Sequence, residues 1–132
     1  MFSAILFSKL FGWPVCPESI NAIQGTLGTV CEAVDKVMNP EDPLKRAFVV
    51  VRPPGHHCGE DMPSGFCFVN NVAVAAAHAH LNYNVNRIVI FDIDLHHGKS
   101  NLSYNAMDSV FCQVTGHNQL LGLSTSRRIG KH

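Results

Sequence analysis

The sequence predicts an α/β fold built around a parallel β-sheet. Residues 47–51 and the interior of Arg87–Asp92 are unbroken runs of apolar, largely β-branched residues, as in strands that are buried on both faces. A helical segment lies between the two runs, and a polar, histidine-bearing segment follows each of them. Strand, helix and strand in this order indicate a βαβ unit with a right-handed crossover.

The composition excludes several classes of function. The chain has 132 residues, which suits one domain, and its 46% hydrophobic content excludes disorder throughout. Ten basic and ten acidic residues leave no net charge, so we expect no direct binding to nucleic acid. The five cysteines include no CxxC pair, which argues against a disulfide framework and for the nucleus or the cytoplasm. The apolar opening contains Lys9 and is too short to span a membrane, so no membrane contact is expected, with a signal peptide as the alternative.

Two helices are predicted. The first covers Pro17–Met38, where apolar residues recur every three or four positions and an Asn-Pro pair follows the last of them. The second covers residues 67–81, an alanine-rich stretch that can pack closely on a sheet. Beyond Gly98 only residues 109–114 indicate another strand, and the remainder is predicted to be a poorly ordered tail.

The strongest chemical signal is an Asp-x-Asp-x-His pattern that overlaps the end of the second predicted strand. Residues two apart share a face of an extended chain, so Asp92, Asp94 and His96 would point one way while Ile93 and Leu95 pack on the other side. A carboxylate and an imidazole are suitable ligands for zinc. The alternative is that these groups only cap the backbone where a strand ends, but their clustering favours a metal site.

A pair of adjacent histidines, His56 and His57, follows the other predicted strand. Two prolines and a glycine precede the pair and restrict its backbone, so the imidazoles are held in place. Beside a metal site, such a pair can take a proton from an activated water and return it to a leaving group. The alternative is an ordinary surface loop. Because the carboxyl ends of parallel strands lie at one edge of a sheet, we expect both polar segments to converge there.

Together these motifs resemble a known enzyme family. The strings RPPGHHCGEDMPSGFCFVNNVAVAAAHAH and IVIFDIDLHHG are similar to the zinc-dependent histone deacetylase family, most of all to class II-like members of the fungal type. The resemblance covers residues 17–98 and implies the N-terminal part of a three-layer α/β/α parallel sheet of the arginase/deacetylase type. Residues 1–16 are then a leader outside the family pattern, and residues 99–132 are a divergent tail.

The resemblance also implies roles for the polar residues. Asp94 and His96 match two zinc ligands, and His56 and His57 match the proton-handling pair. Asp92 would orient His56 and, with backbone groups near Asp94 and His96, would hold a K⁺ ion.

The reaction implied by the resemblance is hydrolysis of N-acetyl-lysine amides by zinc-activated water. Gly65 and Phe66 match the pair that lines the channel for the lysine stem. The implied partners are acetylated histone tails or other acetyl-lysine proteins, together with corepressor proteins.

The sequence departs from the family pattern in three ways. Lys99 stands where the family has an Asn or Asp that orients the second histidine. The third zinc ligand, an Asp, and the oxyanion donor, a Tyr or His, find no match. We therefore expect this chain to be an inactive fragment of a deacetylase domain. Two alternatives stay open: a non-catalytic fragment that is inert or binds a partner, and an amidohydrolase of acetylated polyamines or other small amides.

Overall fold

The computed structural model describes residues 15–59 and 62–98 in full, and the backbone alone of residues 108–113 and 124–125. The expectations for Lys99, for most of the leader and for the rest of the tail lie outside the described residues. The described elements are two helices followed by three strands: α1 (Pro17–Met38), α2 (Asn71–Tyr83), β1 (Arg87–Asp92), β2 (Asp108–Gln113) and β3 (Ser124–Thr125).

The first helix has the predicted bounds, Pro17–Met38. Glu18 lies in its first turn and Lys36 in its last, and both charges suit the helix dipole. At the C-terminal end the backbone N–H of Asn39 still donates to the carbonyl of Asp35, at 3.0 Å. The prediction is confirmed because each signal it used is local to the helix.

The second helix starts four residues later than predicted and ends two residues later, at Asn71–Tyr83. Its first predicted residue instead closes a tight turn, in which Ser64 and Cys67 exchange two backbone hydrogen bonds of 3.1 and 2.8 Å. Asn70 then takes the N-cap position, and its side chain accepts a hydrogen bond from the N–H of Ala73 at 3.1 Å. A turn therefore occupies the residues that the alanine-rich pattern assigns to a helix.

The sheet has the order β1-β2-β3. β1 is confirmed at its predicted bounds, and β2 lies one residue before the predicted 109–114. β1 pairs with β2 in parallel, with Arg87 opposite Asp108, whereas β2 and β3 are antiparallel. The parallel pair agrees with the predicted fold class.

The first predicted strand, residues 47–51, is not a strand in the structure. Phe48 and Val50 are 93% and 83% exposed, while Val49 and Val51 line an apolar cavity with side chains of α1 and α2. A strand needs a neighbouring backbone to pair with, and none of the described residues supplies one here. The predicted βαβ unit is therefore not formed in the described part of the chain.

Helix α2 packs between α1 and β1. Ala76 and Ile90 form a small buried cluster between α2 and β1, and Ile88 packs against them. On the other side of α2, Asp35 of α1 accepts hydrogen bonds from His78 at 2.6 Å and Tyr83 at 2.8 Å. No helix within the described residues is long and apolar enough to cross a membrane.

Candidate active site

The loop that carries the two histidines meets the carboxyl end of β1. The Nδ1–H of His56 donates to Oδ2 of Asp92 at 2.9 Å, and the two side chains are 21% and 14% exposed. Nε2 of His56 lies 4.0 Å from Oδ2 of Asp94. The His57 ring lies against that of His56, with the centroids 4.0 Å apart, and 6.3 Å from the ring of His96. The structure thus brings all five predicted polar residues together.

The chain turns as soon as β1 ends. The N–H of Asp94 donates to Oδ1 of Asp92 at 3.0 Å, and the N–H of His96 donates to Oδ1 of Asp94 at 2.8 Å. These turns, rather than the alternating side-chain directions of a β-strand, orient the polar side chains. The prediction that Ile93 and Leu95 pack is wrong: they are 77% and 58% exposed, because the strand ends at Asp92.

His57 is held by the tight turn at residues 64–67. Its backbone N–H donates to the thiol sulfur of the fully buried Cys67, at 3.4 Å. Gly65 lies against the imidazole, since a Cβ at this glycine would come within 2.3 Å of the ring. Gly65 and Phe66 have φ values of 52° and 64°, and the Phe66 side chain is 77% exposed. Of the two residues predicted to line the substrate channel, Gly65 lies against His57, and Phe66 follows it in the same turn with an exposed side chain.

The site sets the protonation of two of its groups. Burial lowers the pKa of His57, and the neighbouring charges of His56 and His96 lower it further. The pKa of Asp94 is also lowered, chiefly because the backbone N–H of His96 donates to it, and then by the imidazole of His96. At neutral pH the site thus combines an ionised carboxylate with an imidazole that is free to accept a proton.

The carboxylate of Asp94 and the imidazole of His96 are side-chain types that bind zinc. Oδ1 of Asp94 and Nδ1 of His96 are 3.2 Å apart, close to the ~3.4 Å between two ligands of a tetrahedral ion with bonds of about 2.0–2.1 Å. A catalytic zinc site needs three protein ligands. No group of three His, Cys, Asp or Glu side chains arranged to hold a metal ion occurs among the described residues. Within the described part of the chain, Asp94 and His96 are therefore two candidate ligands without a third.

Four residues that contact the site or the loop bearing its histidines are not predicted from the sequence: Thr26, Cys67, Asn71 and Gly98. A Cβ at the buried Gly98 would lie 2.9 Å from the carbonyl oxygen of His56 and 3.1 Å from Oδ2 of Asp92. A glycine next to two histidines is a sequence signal for such a close approach. Thr26 gives no comparable signal, because a threonine on a helix is ordinary.

An α/β layer with a histidine and carboxylate cluster at the carboxyl end of a strand is typical of metal-dependent hydrolases. The family model described as "Histone deacetylase domain" matches residues 7–120, well over half of the chain. The chain belongs to the histone deacetylase family. The match extends beyond residues 17–98, and the domain boundaries given above stay a prediction.

Individual proteins agree with this assignment. The chain is 48% identical over 84 residues to the histone deacetylase HOS3 of Saccharomyces cerevisiae, covering 61% of this chain and 12% of that protein. It is 49% identical over 72 residues to the polyamine deacetylase HDAC10 of Danio rerio, covering 54% and 10%. The solved HD domain of HDA15 matches with a TM-score of 0.62 and 28% identity, over 74% of this chain and 27% of that one. The fold is thus part of an arginase/deacetylase fold, and the chain spans a small share of its relatives.

Proposed function

We propose that this chain carries the proton-handling half of a zinc-dependent lysine deacetylase site. The observation that supports this most directly is the hydrogen bond of 2.9 Å between His56 and Asp92, with the His57 ring tilted against that of His56 at a centroid distance of 4.0 Å. Asp92 accepts from Nδ1, which leaves Nε2 of His56 with the lone pair that can take a proton from water. Burial lowers the pKa of His57, which favours its neutral form, so His57 is the second imidazole that can accept a proton.

Asp94 and His96 would hold the zinc ion, which when bound polarises the amide carbonyl and lowers the pKa of water. Gly65 lies against His57, and the exposed ring of the following residue, Phe66, would offer an apolar wall for a lysine stem. Both oxygens of Asp92 already accept hydrogen bonds, from His56 and from the backbone of Asp94. A K⁺ ion near Asp92, Asp94 and His96 is part of the same proposal.

The proposed substrates are acetylated histone tails or other acetyl-lysine proteins, with corepressors as further partners, in the nucleus or the cytoplasm. The 132-residue chain contains no match to the third ligand or the oxyanion donor. Losing one such donor typically costs about 10²–10³ in rate. We therefore expect the isolated chain not to deacetylate an acetyl-lysine peptide above background. Turnover by this chain that a zinc chelator stops would overturn that expectation.

The site itself is tested by joining residues 1–98 to the part of HOS3 that follows the matching segment. The joined protein should hydrolyse an acetyl-lysine peptide, and His57→Ala should lower its rate by about 10²–10⁴, the usual contribution of a general acid or base. His80→Ala is the control, since the His80 ring donates to the carbonyl of Val85, at 3.0 Å, rather than to a residue of the site. An inactive joined protein, or equal loss in both variants, would contradict the proposal.

A second substrate class is acetylated polyamines. The observation that favours it is the 49% identity over 72 residues to the zebrafish polyamine deacetylase. The same joined protein would distinguish the two classes by the ratio of kcat/KM for an acetylated polyamine and for an acetyl-lysine peptide. A ratio above one would favour the polyamine.

A further inference from the structure

We propose that Thr26 in α1 and Asn71 at the start of α2 are positioning residues for the His56–His57 pair. They hold the backbone carbonyls of the loop that carries the two histidines. The proposal rests on the function proposed above, because it concerns the same two imidazoles.

The Thr26 hydroxyl group donates its hydrogen bond to this loop rather than to its own helix. The Thr26 side chain donates to the carbonyl of Arg52 at 2.6 Å, and the residue is only 3% exposed. Thr29, three residues further along the same helix, instead donates to the carbonyl of Gly25 at 2.9 Å. A buried hydroxyl needs a partner, so the choice of the Arg52 carbonyl fixes the position of the loop against α1.

Asn71 holds the next carbonyl of the same loop. Its Nδ2 donates to the carbonyl of Pro53 at 3.1 Å. Two residues later the loop lies directly against the start of α2, since a Cβ at Gly55 would come within 2.5 Å of the backbone nitrogen of Asn71 and 2.9 Å of the carbonyl oxygen of Val69. Consecutive carbonyls are thus held by side chains from two different helices.

The loop is also held on its other side. The N–H of His57 donates to the sulfur of Cys67, so the three residues between Pro53 and His57 are fixed at both ends. Within this short span, Nδ1 of His56 must stay within hydrogen-bond distance of Asp92. Hydrogen bonds weaken steeply when their distance or angle departs from the favoured range. Releasing either carbonyl should therefore loosen the His56–Asp92 bond before it affects the rest of the fold.

The test measures this bond directly on the full chain by NMR. The probe is the imidazole N–H proton that His56 donates to Asp92, and the quantity is its rate of exchange with water. Thr26→Val keeps the shape of the side chain and removes its hydroxyl, and we expect exchange to become about fivefold faster, the factor that one ordinary hydrogen bond contributes. Thr26→Ser should restore the slow rate.

Thr29→Val is the matched control, because the same change on the same helix removes a hydrogen bond that does not reach the loop. It should leave the exchange rate of the His56 proton unchanged. If Thr26→Val lowers the melting temperature but leaves that rate unchanged, Thr26 serves packing alone and the proposal is wrong. Equal acceleration by Thr26→Val and Thr29→Val would contradict it as well.

Asn71→Ala tests the second carbonyl and decides the question if Thr26→Val does not fold. Alanine is a good residue for a first helical turn, so α2 should form, while the His56 proton should exchange faster. Asn82→Ala, at the other end of α2, is its control, because Asn82 bonds to His78. These measurements do not depend on enzymatic activity. A joined deacetylase that fails to act while the exchange rates change as expected would refute the proposed function and leave the positioning roles intact.

Discussion

Gly98→Ala should disrupt the site by a contact whose size follows from the structure. An ideal Cβ at Gly98 would lie 2.9 Å from the carbonyl oxygen of His56, 3.1 Å from Oδ2 of Asp92 and 3.2 Å from Nδ1 of His56. Ordinary contact begins at 3.4 Å, so the carbonyl of His56 must retreat by about half an ångström. The same movement would stretch the 2.9 Å bond between His56 and Asp92 to about the limit of a hydrogen bond.

The expected cost is the free energy of that hydrogen bond. A hydrogen bond to a charged group contributes about 1.5–3 kcal/mol, and water can partly replace it here because the side chains are 21% and 14% exposed. We therefore expect Gly98→Ala to lower the free energy of unfolding by about 1–2 kcal/mol. Urea unfolding followed by circular dichroism measures this change.

The control variants should change the free energy of unfolding in the opposite direction. Gly25 and Gly28 lie inside α1, and nothing is within 4 Å of a Cβ at either position. Gly→Ala in a helix interior stabilises by about 0.8–1.0 kcal/mol, so both controls should raise the free energy of unfolding. If Gly98→Ala is as stable as the original chain, or if it keeps the slow imidazole exchange of His56, the reasoning about close approach is refuted.

Two further predictions concern pH and zinc. The pKa of Asp35 is lowered by the hydrogen bonds from His78 and, next, from Tyr83, so its carboxylate stabilises the fold above the ordinary value of 3.8 and loses that effect as the pH falls through the folded pKa. The difference in urea midpoint between the original chain and Asp35→Ala should be present at about pH 5 and shrink below pH 3.8, whereas a constant difference would contradict it. Zinc should bind at least about 10–100-fold more weakly than to a three-ligand site, because loss even of a residue that only orients a zinc ligand typically costs that much. A tight, stoichiometric site in isothermal titration that Asp94→Ala abolishes would show that another ligand completes the set.

The sequence predicts an element correctly where contacts within that element determine it, and fails where contacts with distant parts of the chain do. Helix α1 could be predicted because its apolar spacing and terminal signals lie within Pro17–Met38 itself. The conformation of residues 47–51 could not be predicted in this way, since apolar β-branched residues form a strand only when another backbone pairs with them. The start of α2 was missed because the preceding turn places a phenylalanine at a φ of 64°, a conformation with no sequence signal in that residue type.

The convergence of the polar residues was predicted from two neighbouring strands, but the structure achieves it in another way. Of the two runs at residues 47–51 and Arg87–Asp92, only the second forms a strand, and the loop bearing His56 reaches the site because α1 and α2 hold that loop. The long-range contacts of Thr26 and Asn71 that accomplish this leave no pattern in the sequence. The sequence therefore identified the residues that can do chemistry better than those that position them.

The two halves of the site depend differently on the rest of the fold. His96 and Asp94 are two residues apart, and their contacts are closed by the turn that follows β1. The bond between His56 and Asp92 joins residues 36 apart, and it exists only while the helices hold the loop. Closing the longer loop costs more conformational entropy, so this bond needs the support of packing. Perturbations of α1 should therefore weaken the histidine pair while leaving the two candidate zinc ligands together, which separates proton handling from metal binding within one site.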